Sequence, residues 1–381
     1  MEITKNIFNV GANDLNTRLF EGQYKVLDGM SYNSYLIKDK QNVLLDTIDK
    51  SVTKEWLNNL EKELDGEKID YLIVSHMEPD HAYNIEVLAS KFPEMKIVGN
   101  LNTFNMIKRF FDLDIDSRKV IVKEGDTLNI GEHTLQFIMA PMVHWPEVMF
   151  VYEQKEKILF SADAFGKFGI IKDSDEWLDE ARRYYIGIVG KYGMQVQNVL
   201  KKAAGLEINV ICPLHGPVLK NNLEYYIKKY DIWSKYEPEE DGILIAVSSI
   251  HGNTLEVAKY LEENLKSENK NVKLIDLTTQ DMAEAVANAF RFSRLIVASS
   301  SYNAGLFPPM EQFLSKLKER NFKNRTVAII ENGTWAPSSG KVMKNMLQEM
   351  KNISIIEPII TIESTMKEKN KKELSKLVKK L

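Results

Sequence analysis

The sequence has very little cysteine and lacks any long apolar run. A single cysteine among 381 residues excludes a disulfide within the chain, and no Cys-x-x-Cys pair is present to hold an iron–sulfur cluster. No stretch of 18 or more apolar residues exists, which argues against a transmembrane helix. The N-terminus also lacks the charged-then-apolar order of a signal peptide. We therefore expect a cytoplasmic protein that does not interact with a membrane.

The composition is that of an ordinary globular protein. A net charge of -4 provides no basic surface for nucleic acid, so we expect no nucleic-acid partner. The chain also lacks Gly-x-Gly-x-x-Gly and Walker A motifs, which argues against a dinucleotide or a nucleoside triphosphate. Its length suggests two domains. The charged stretch Lys235–Gly242, which contains proline and glycine, predicts a boundary that separates residues 1–240 from residues 241–381.

Four short segments carry the residues that are best suited to bind a metal. The chain has six histidines, and four of them lie in these segments, each of which follows an apolar run typical of a strand. Imidazole nitrogens and carboxylate oxygens are common metal ligands, and loops at strand ends often hold such sites. Asp46 is interpreted as a supporting carboxylate and His133 as an ordinary turn residue. The candidate ligands are His76, Glu78, Asp80, His81, His144, Asp163 and His215.

The first of these segments is the densest, because it places four candidate ligands between residues 76 and 81. The preceding stretch, Asp70–Ser75, predicts a short buried strand that Pro79 ends. Asp80 is predicted to cap a helix that runs from His81 to Leu88. Any one of these residues alone is more simply a loop histidine or a helix cap. Capping explains only one of the four, however, so the set favours a metal site.

The two predicted domains differ in the order of their elements. Before the boundary, many strands with interspersed helices predict a mixed α/β sandwich. After it, strands and helices alternate strictly, which implies a doubly wound parallel sheet of five strands. The predicted strands of that sheet are Ile243–Val247, Val272–Ile275, Leu295–Ala298, Val327–Ile330 and one within Ile353–Ile360.

Three loops at the carboxyl ends of these strands form a candidate cofactor site. The loop Ser249–Thr254 precedes an amphipathic helix, and its hydroxyls and free N–H groups suit a phosphate, although such residues also serve as plain helix caps. The loops Ser299–Pro308 and Glu331–Trp335 follow the third and fourth predicted strands. They carry Tyr302 and Trp335, which are positioned to enclose a planar ring or are ordinary aromatics.

The metal-ligand pattern resembles a known family. His-x-Glu-x-Asp-His, followed by a distant His, Asp and His, resembles the metallo-β-lactamase fold in its flavodiiron version. Zinc hydrolases of that fold typically have a second histidine where this chain has Glu78. Four imidazoles with three carboxylates suit harder, redox-active ions such as non-haem iron better than zinc. The resemblance implies that His76, Glu78 and His144 bind one iron, that Asp80, His81 and His215 bind the other, and that Asp163 bridges them.

The second half resembles flavodoxin, and the order of the two halves resembles a flavodiiron protein over nearly the whole chain. The implied fold class is α/β, with an N-terminal metallo-β-lactamase-like αββα sandwich and a C-terminal flavodoxin-like doubly wound parallel sheet. The implied cofactor is FMN. Ser300 stands where such loops often have proline, and Glu331–Trp335 replaces a more glycine-rich loop. The implied FMN contacts are Ser249, Ile250, His251, Gly252, Asn253, Thr254, Ser301, Tyr302, Asn303, Ala304, Gly305, Asn332, Gly333, Thr334 and Trp335.

The resemblance implies an oxidoreductase that passes electrons from an external donor through FMN to a diiron site. That site would reduce dioxygen to water, nitric oxide to nitrous oxide, or both. Because the chain has no cysteine cluster and no nicotinamide motif, we expect the donor to be rubredoxin or a similar small electron carrier. The implied assembly is a head-to-tail homodimer or a dimer of dimers. The alternative is a dinuclear zinc hydrolase with an attached flavodoxin-like docking domain.

Overall fold

In the computed structural model, which describes residues 1–171 and 177–381, the chain divides into two units, Met1–Asp231 and Ile232–Leu381. The boundary at 240/241 stays a prediction. The strands up to residue 212 are β1 (Glu2–Thr4), β2 (Ile7–Asn9), β3 (Ala12–Asp14), β4 (Leu19–Phe20), β5 (Tyr24–Lys25), β6 (Met30–Tyr32), β7 (Tyr35–Ile37), β8 (Val43–Leu45), β9 (Tyr71–Ile73), β10 (Lys96–Gly99), β11 (Lys119–Ile121), β12 (Thr127–Asn129), β13 (Thr134–Met139), β14 (Met149–Glu153), β15 (Ile158–Phe160) and β16 (Val210–Cys212). The helices up to residue 234 are α1 (Thr53–Leu64), α2 (Pro79–Ala82), α3 (Ile85–Lys91), α4 (Leu101–Phe110), α5 (Leu178–Tyr184), α6 (Gly193–Ala203) and α7 (Leu223–Ser234).

Two main sheets make up the first unit. The seven-stranded sheet has the order β1-β2-β7-β8-β9-β10-β11, in which β8 to β11 are parallel. The five-stranded sheet has the order β12-β13-β14-β15-β16. The sheets contact each other through buried rings such as those of Tyr35 on β7 and Phe160 on β15, whose centroids lie 5.2 Å apart.

Strand direction in the five-stranded sheet places three connecting loops at one edge. Strand β14 is antiparallel to both β13 and β15, and β15 is parallel to β16. Strands β13, β15 and β16 therefore run in the same direction. The three segments that carry His144, Asp163 and His215 all leave the same edge of this sheet.

The helix predicted after β9 begins earlier than the sequence pattern suggested. The prediction that Asp80 caps a helix from His81 to Leu88 is wrong. Helix α2 starts at Pro79, with Glu78 as its N-cap residue, and a separate helix α3 starts at Ile85. Proline fits the first helical position because it has no N–H to leave unpaired. Asp80 therefore lies inside the first turn, and its carboxylate is available for another role.

The second unit contains a doubly wound sheet. Its strands are β17 (Glu240–Ser248), β18 (Val272–Asp276), β19 (Phe292–Tyr302), β20 (Gly305–Leu306), β21 (Arg325–Asn332) and β22 (Ile353–Ile362), and its helices are α8 (Asn253–Ser267), α9 (Met282–Arg291), α10 (Pro308–Glu319), α11 (Ser339–Gln348) and α12 (Glu368–Val378). The order β18-β17-β19-β21-β22 is parallel throughout. Alternate residues of the strands contact α8 and α12 in one buried cluster, and α9, α10 and α11 follow one another elsewhere along the sheet. The carboxyl ends of β17, β19 and β21 lie side by side.

The loop predicted after the third strand is instead the end of a β-hairpin. Strand β19 continues to Tyr302 and pairs with β20, so that Tyr302 lies opposite Gly305. The two residues between them, Asn303 and Ala304, have φ angles of 48° and 57°. Two successive residues in the left-handed region form the tight turn that joins twisted antiparallel strands. The sheet thus has a sixth, short strand beyond the five that were predicted.

Within the described residues, every helix is too short or too polar to span a lipid bilayer.

Candidate functional site

The structure brings the seven candidate ligands together in two adjacent groups. One group contains His76, Glu78, His144 and Asp163, and the other contains Asp80, His81 and His215. They come from the segments that follow β9, β13, β15 and β16. Residues as far apart as 76 and 215 meet because these segments all leave strand ends.

The first group is centred on the Nε2 atoms of His76 and His144, which lie 3.3 Å apart. Glu78 Oε2 lies 3.2 Å from His76 Nε2 and 3.0 Å from His144 Nε2. Asp163 Oδ2 lies 3.3 Å from His76 Nε2 and 3.1 Å from His144 Nε2. Four donor atoms from four side chains thus surround one small space.

The second group has the same form. The Nε2 atoms of His81 and His215 lie 3.1 Å apart. Asp80 Oδ2 lies 3.4 Å from the first nitrogen and 3.3 Å from the second. The other carboxylate oxygen of Asp163, Oδ1, lies 3.2 Å from His81 Nε2 and 3.6 Å from His215 Nε2. Asp163 therefore presents one oxygen to each group.

These distances fit metal binding. Two ligand atoms that each lie about 2.1 Å from one ion are about 3.0–3.4 Å apart in octahedral or tetrahedral geometry. Several of the buried oxygens also lack a hydrogen-bond partner among the described residues, namely both oxygens of Asp80 and Oδ1 of Asp163. A buried carboxylate oxygen without a partner is costly, and a cation at each group would satisfy it.

Supporting residues hold the ligands from behind. Glu147 Oε1 lies 2.8 Å from His76 Nδ1 and accepts the Met77 N–H at 2.8 Å, so the Nε2 atom of His76 is turned towards the cluster. His215 Nδ1 lies 2.8 Å from the backbone carbonyl oxygen of Ser31, so the Nε2 atom of His215 is likewise turned towards the cluster. Asp46 accepts the backbone N–H of His76 at 3.2 Å, which agrees with the supporting role expected for it. No sequence motif points to Glu147 or Ser31, so neither was predicted.

Charges within the cluster compensate one another. Burial lowers the pKa of His144, but hydrogen bonds with Asp163 and Glu78 outweigh it and raise that pKa to about 9. Burial raises the pKa of Glu78, yet the imidazoles of His144 and His76 hold it well below its usual range. In the same way the histidines hold the pKa of Asp163 well below its usual range, against the effect of burial. The carboxylates of Glu78 and Asp163 are therefore held in the ionised form, which is the form that binds cations.

Aromatic rings shield the second group from water, and one further carboxylate stands near the cluster. The rings of Phe20, Tyr32 and Tyr184 lie 5.3, 5.5 and 5.6 Å from that of His215.

Glu21 follows Phe20 in the turn between β4 and β5. Glu21 is exposed at the surface, but desolvation by the surrounding protein, and then the negative charge of Glu78, raise its pKa to about 7. Sequence reasoning missed Glu21, because no spacing links it to the ligands.

His133 lies apart from the cluster, as expected. Its Nδ1 atom lies 2.7 Å from Asp39 Oδ2, and its backbone N–H donates to the same oxygen at 2.8 Å. This pair joins the turn before β13 to the turn after β7.

The second unit has a cavity of about 510 Å³ at the carboxyl ends of β17, β19 and β21. Its size falls within the usual range for small-molecule sites. Gly252 and Gly305 are among the predicted FMN contacts but do not line it, whereas Ser300, Ala336 and Ser364 line it and are not among those contacts. The predicted residues that line it are Ser249, Ile250, His251, Asn253, Thr254, Ser301, Tyr302, Asn303, Ala304, Asn332, Gly333, Thr334 and Trp335.

Of the two helices that begin beside this cavity, α8 has the available N-terminus. The first N–H groups of α11 are already bound, because Ser301 Oγ accepts those of Ser338 and Ser339 at 2.9 and 3.2 Å. Helix α8 begins after Gly252, which has a φ of 92° and no side chain with which to cap the helix. The free N–H groups of its first turn suit an anion such as phosphate.

Comparisons with known proteins agree with this architecture. A family model described as ODP family beta lactamase matches residues 30–216, and a flavodoxin domain model matches residues 244–379. The anaerobic nitric oxide reductase flavorubredoxin of Salmonella typhi is 31% identical over 360 residues, which cover 91% of this chain and 75% of that protein. The chain belongs to the flavodiiron protein family.

Solved structures show the same architecture. The rubredoxin oxygen:oxidoreductase of Desulfovibrio gigas superimposes with a TM-score of 0.92 at 26% identity, over 100% of this chain and 96% of that one. A flavoprotein of Thermotoga maritima superimposes with a TM-score of 0.87 at 26% identity, over 98% of this chain and 96% of that one. The predicted fold class is therefore confirmed. This flavodiiron protein is an oxidoreductase, so the comparisons favour the first predicted function over the zinc hydrolase.

The geometry around His76 predicts the effect of Glu147→Gln. The substitution keeps the shape of the side chain but removes the negative charge that holds the Nδ1 proton, so metal affinity should fall about 10-fold or more. Chelator competition with Fe(II) under anaerobic conditions measures this affinity. Glu153→Gln is the matched control, since Glu153 is a buried carboxylate that binds the N–H groups of Lys155 and Glu156. Equal losses in both variants would contradict the role given to Glu147.

Proposed function

We propose that this flavodiiron protein passes electrons from a separate protein donor through FMN to a pair of irons, where dioxygen, nitric oxide or both are reduced. The observation that carries the proposal is the pairing, in one chain, of a mixed imidazole–carboxylate cluster with a phosphate-ready cavity at a flavodoxin-like sheet. When bound, FMN supplies electrons one or two at a time, and the irons supply the site of gas reduction. The residues supply binding, orientation and exclusion of water.

The ligand set supports iron in both groups. His76, Glu78 and His144 would hold one ion, and Asp80, His81 and His215 the other. Each group combines two imidazoles with a carboxylate of its own, a mixture that suits iron better than the nitrogen- and sulfur-rich sites of zinc. Glu78 favours iron over zinc, because its carboxylate takes the place of the neutral imidazole typical of the zinc hydrolases.

Asp163 is assigned the bridge between the two ions. Its Oδ2 atom faces the pair His76 and His144, and its Oδ1 atom faces the pair His81 and His215. A carboxylate placed in this way would give each ion one of its oxygens. The other two carboxylates each lie near one histidine pair, Glu78 near the first and Asp80 near the second.

Asp163→Asn tests this bridge. The amide has one neutral oxygen, so we expect the variant to lose one iron per chain or to lose magnetic coupling between the two. Iron analysis together with Mössbauer spectroscopy distinguishes these outcomes from the wild type. Asp39→Asn is the control, because Asp39 is also a carboxylate beside a histidine but lies away from the cluster. Unchanged iron content and unchanged coupling in Asp163→Asn would refute the bridge.

The second unit supports FMN in its cavity. The segment Ser249–Thr254 and the free N-terminus of α8 would bind the phosphate, since they present hydroxyls and N–H groups to one space. The ring would lie between the hairpin that carries Tyr302 and the segment that carries Trp335. Trp335 is 91% exposed, which leaves its ring free to cover a flat ligand.

The donor is proposed to be rubredoxin or a similar small electron carrier. These 381 residues contain one cysteine, the buried Cys212, whereas a rubredoxin-type iron centre needs several cysteine ligands. Gas reduction consumes two or more electrons per turnover, and they must come from outside.

Cofactor analysis and turnover test this function together. The purified chain should contain about one FMN and about two irons per chain, in keeping with the cavity at the sheet of the second unit and with the two ligand groups. Reduced rubredoxin should support consumption of dioxygen, of nitric oxide, or of both, measured with gas electrodes. NADH with the purified chain alone is the control and should support only slow turnover. Zinc without flavin would overturn the proposal.

We further propose a head-to-tail homodimer, alone or as half of a tetramer, in which the flavin of one chain faces the irons of the other. Electron transfer requires a short gap between the cofactors. Exposed aromatic residues lie beside both sites, namely Trp335 at the flavin cavity, and Tyr83 and Phe110 at a cavity of about 490 Å³ next to α2. A partner chain that covers these residues would remove apolar surface from water. A two-fold interface makes both such contacts at once.

Subunit complementation tests this arrangement. Glu78→Ala should inactivate the iron site, and Thr254→Glu should exclude FMN by placing a carboxylate against its phosphate. Heterodimers of the two variants, isolated with two different affinity tags, should recover roughly half of the wild-type activity per dimer, because one intact flavin then faces one intact iron pair. Homodimers of each variant are the controls. Heterodimer activity no greater than theirs would rule the arrangement out.

A further inference from the structure

Three consecutive serines at the end of β19 each bind a different element. Ser299 Oγ lies 2.9 Å from Ser248 Oγ at the end of β17. Ser301 Oγ accepts the first N–H groups of α11. Ser300 Oγ, between them, lies 2.9 Å from Thr254 Oγ1 in the first turn of α8. The middle serine is therefore the one that reaches the predicted phosphate loop.

The pair of Thr254 and Ser300 lies where a bound phosphate would meet it. Both residues line the cavity of the second unit, and Thr254 is 1% exposed. Among the hydrogen bonds of the described residues, this pair is the one that joins the segment 249–254 to the hairpin segment 300–305. Its hydroxyls thus couple the two halves of the proposed FMN site.

In the hydrogen bond between Thr254 and Ser300, a bound phosphate would determine which hydroxyl donates its proton. A hydroxyl has one proton to donate, while an ionised phosphate oxygen only accepts. If Thr254 donates its proton to the phosphate, then the bond to Ser300 must be one in which Ser300 donates and Thr254 accepts. Chains of hydroxyls oriented in this way strengthen one another.

We propose that Ser300 is a positioning residue for FMN, which donates to Thr254 and so directs the Thr254 hydroxyl towards the phosphate. This inference rests on the proposed binding of FMN and deepens it. Ser300 need not contact the phosphate itself. It holds the rotamer of a residue that does, and its effect should depend on the phosphate being present.

Flavin titrations on the full-length chain, stripped of flavin and reconstituted, test this role. Ser300→Ala should weaken FMN binding about 3- to 10-fold, the usual effect of losing one hydrogen bond, and should leave riboflavin binding within about 2-fold of wild type. Thr254→Val should weaken FMN binding more, about 10- to 100-fold, because it removes a bond to a charged group. The double variant should bind FMN no more weakly than Thr254→Val, since a relay broken at its end gains nothing from Ser300.

Two further variants separate positioning from simple packing. Ser300→Thr keeps the hydroxyl and should restore FMN affinity to near the wild-type value. Ser364→Ala is the matched control, because Ser364 lines the same cavity but its hydroxyl lies 2.7 Å from Thr334 Oγ1 rather than near the phosphate loop. It should leave the preference for FMN over riboflavin unchanged.

The outcomes are distinguishable. Equal losses of FMN and riboflavin in Ser300→Ala, or losses in the double variant that simply add, would overturn the relay while leaving FMN as the cofactor. Wild-type FMN affinity in Ser300→Ala would do the same. Failure of the wild-type chain to bind FMN at all would instead overturn the proposed function, and the relay with it.

Discussion

The first unit depends on a balance of charge between buried carboxylates and buried imidazoles. Asp163 is 1% exposed, and His76, His81 and His215 are fully buried around it. An isolated buried carboxylate would cost on the order of several kcal/mol, and the imidazoles that face both of its oxygens offset only part of that cost, since Oδ1 still lacks a hydrogen-bond partner. The supporting groups behind the cluster matter for the same reason. Glu147 and the Ser31 carbonyl set which ring nitrogen points inward, so the compensation occurs in one arrangement only.

Both units solve the problem of assembling a site in the same way. Strands that run in one direction bring their carboxyl ends to one edge, so short segments from distant parts of the chain become neighbours. In the first unit these segments follow β9, β13, β15 and β16, and in the second they follow β17, β19 and β21. The sheets are rigid and apolar, and the loops carry the chemistry. This division explains why each candidate ligand follows a buried strand.

Much of the precision at each site comes from groups that act through another residue. Glu147 acts through His76, Asp46 through the backbone of His76, and Ser300 through Thr254. Each fixes the orientation of a side chain or backbone segment that faces the site. Such groups are difficult to recognise in a sequence, because only their position in space gives them a partner. The carboxylate of Glu21 is another example, since only folding brings it near the charge of Glu78.

The sequence by itself determined the family, the order of the two domain types and the chemical types of the ligands. Residue type decides which atoms are able to coordinate a metal, and the alternation of strands and helices decides the topology of the second sheet. The sequence patterns predicted the wrong start for α2 and the wrong end for β19. These two positions depend on local backbone geometry, at Pro79 and at the turn of Asn303 and Ala304. Only the tertiary structure decided that the two oxygens of Asp163 face different histidine pairs and that Ser300 meets Thr254. These contacts depend on strand direction and on the angles at which chain segments leave the sheet, and no pattern of residue types records those angles.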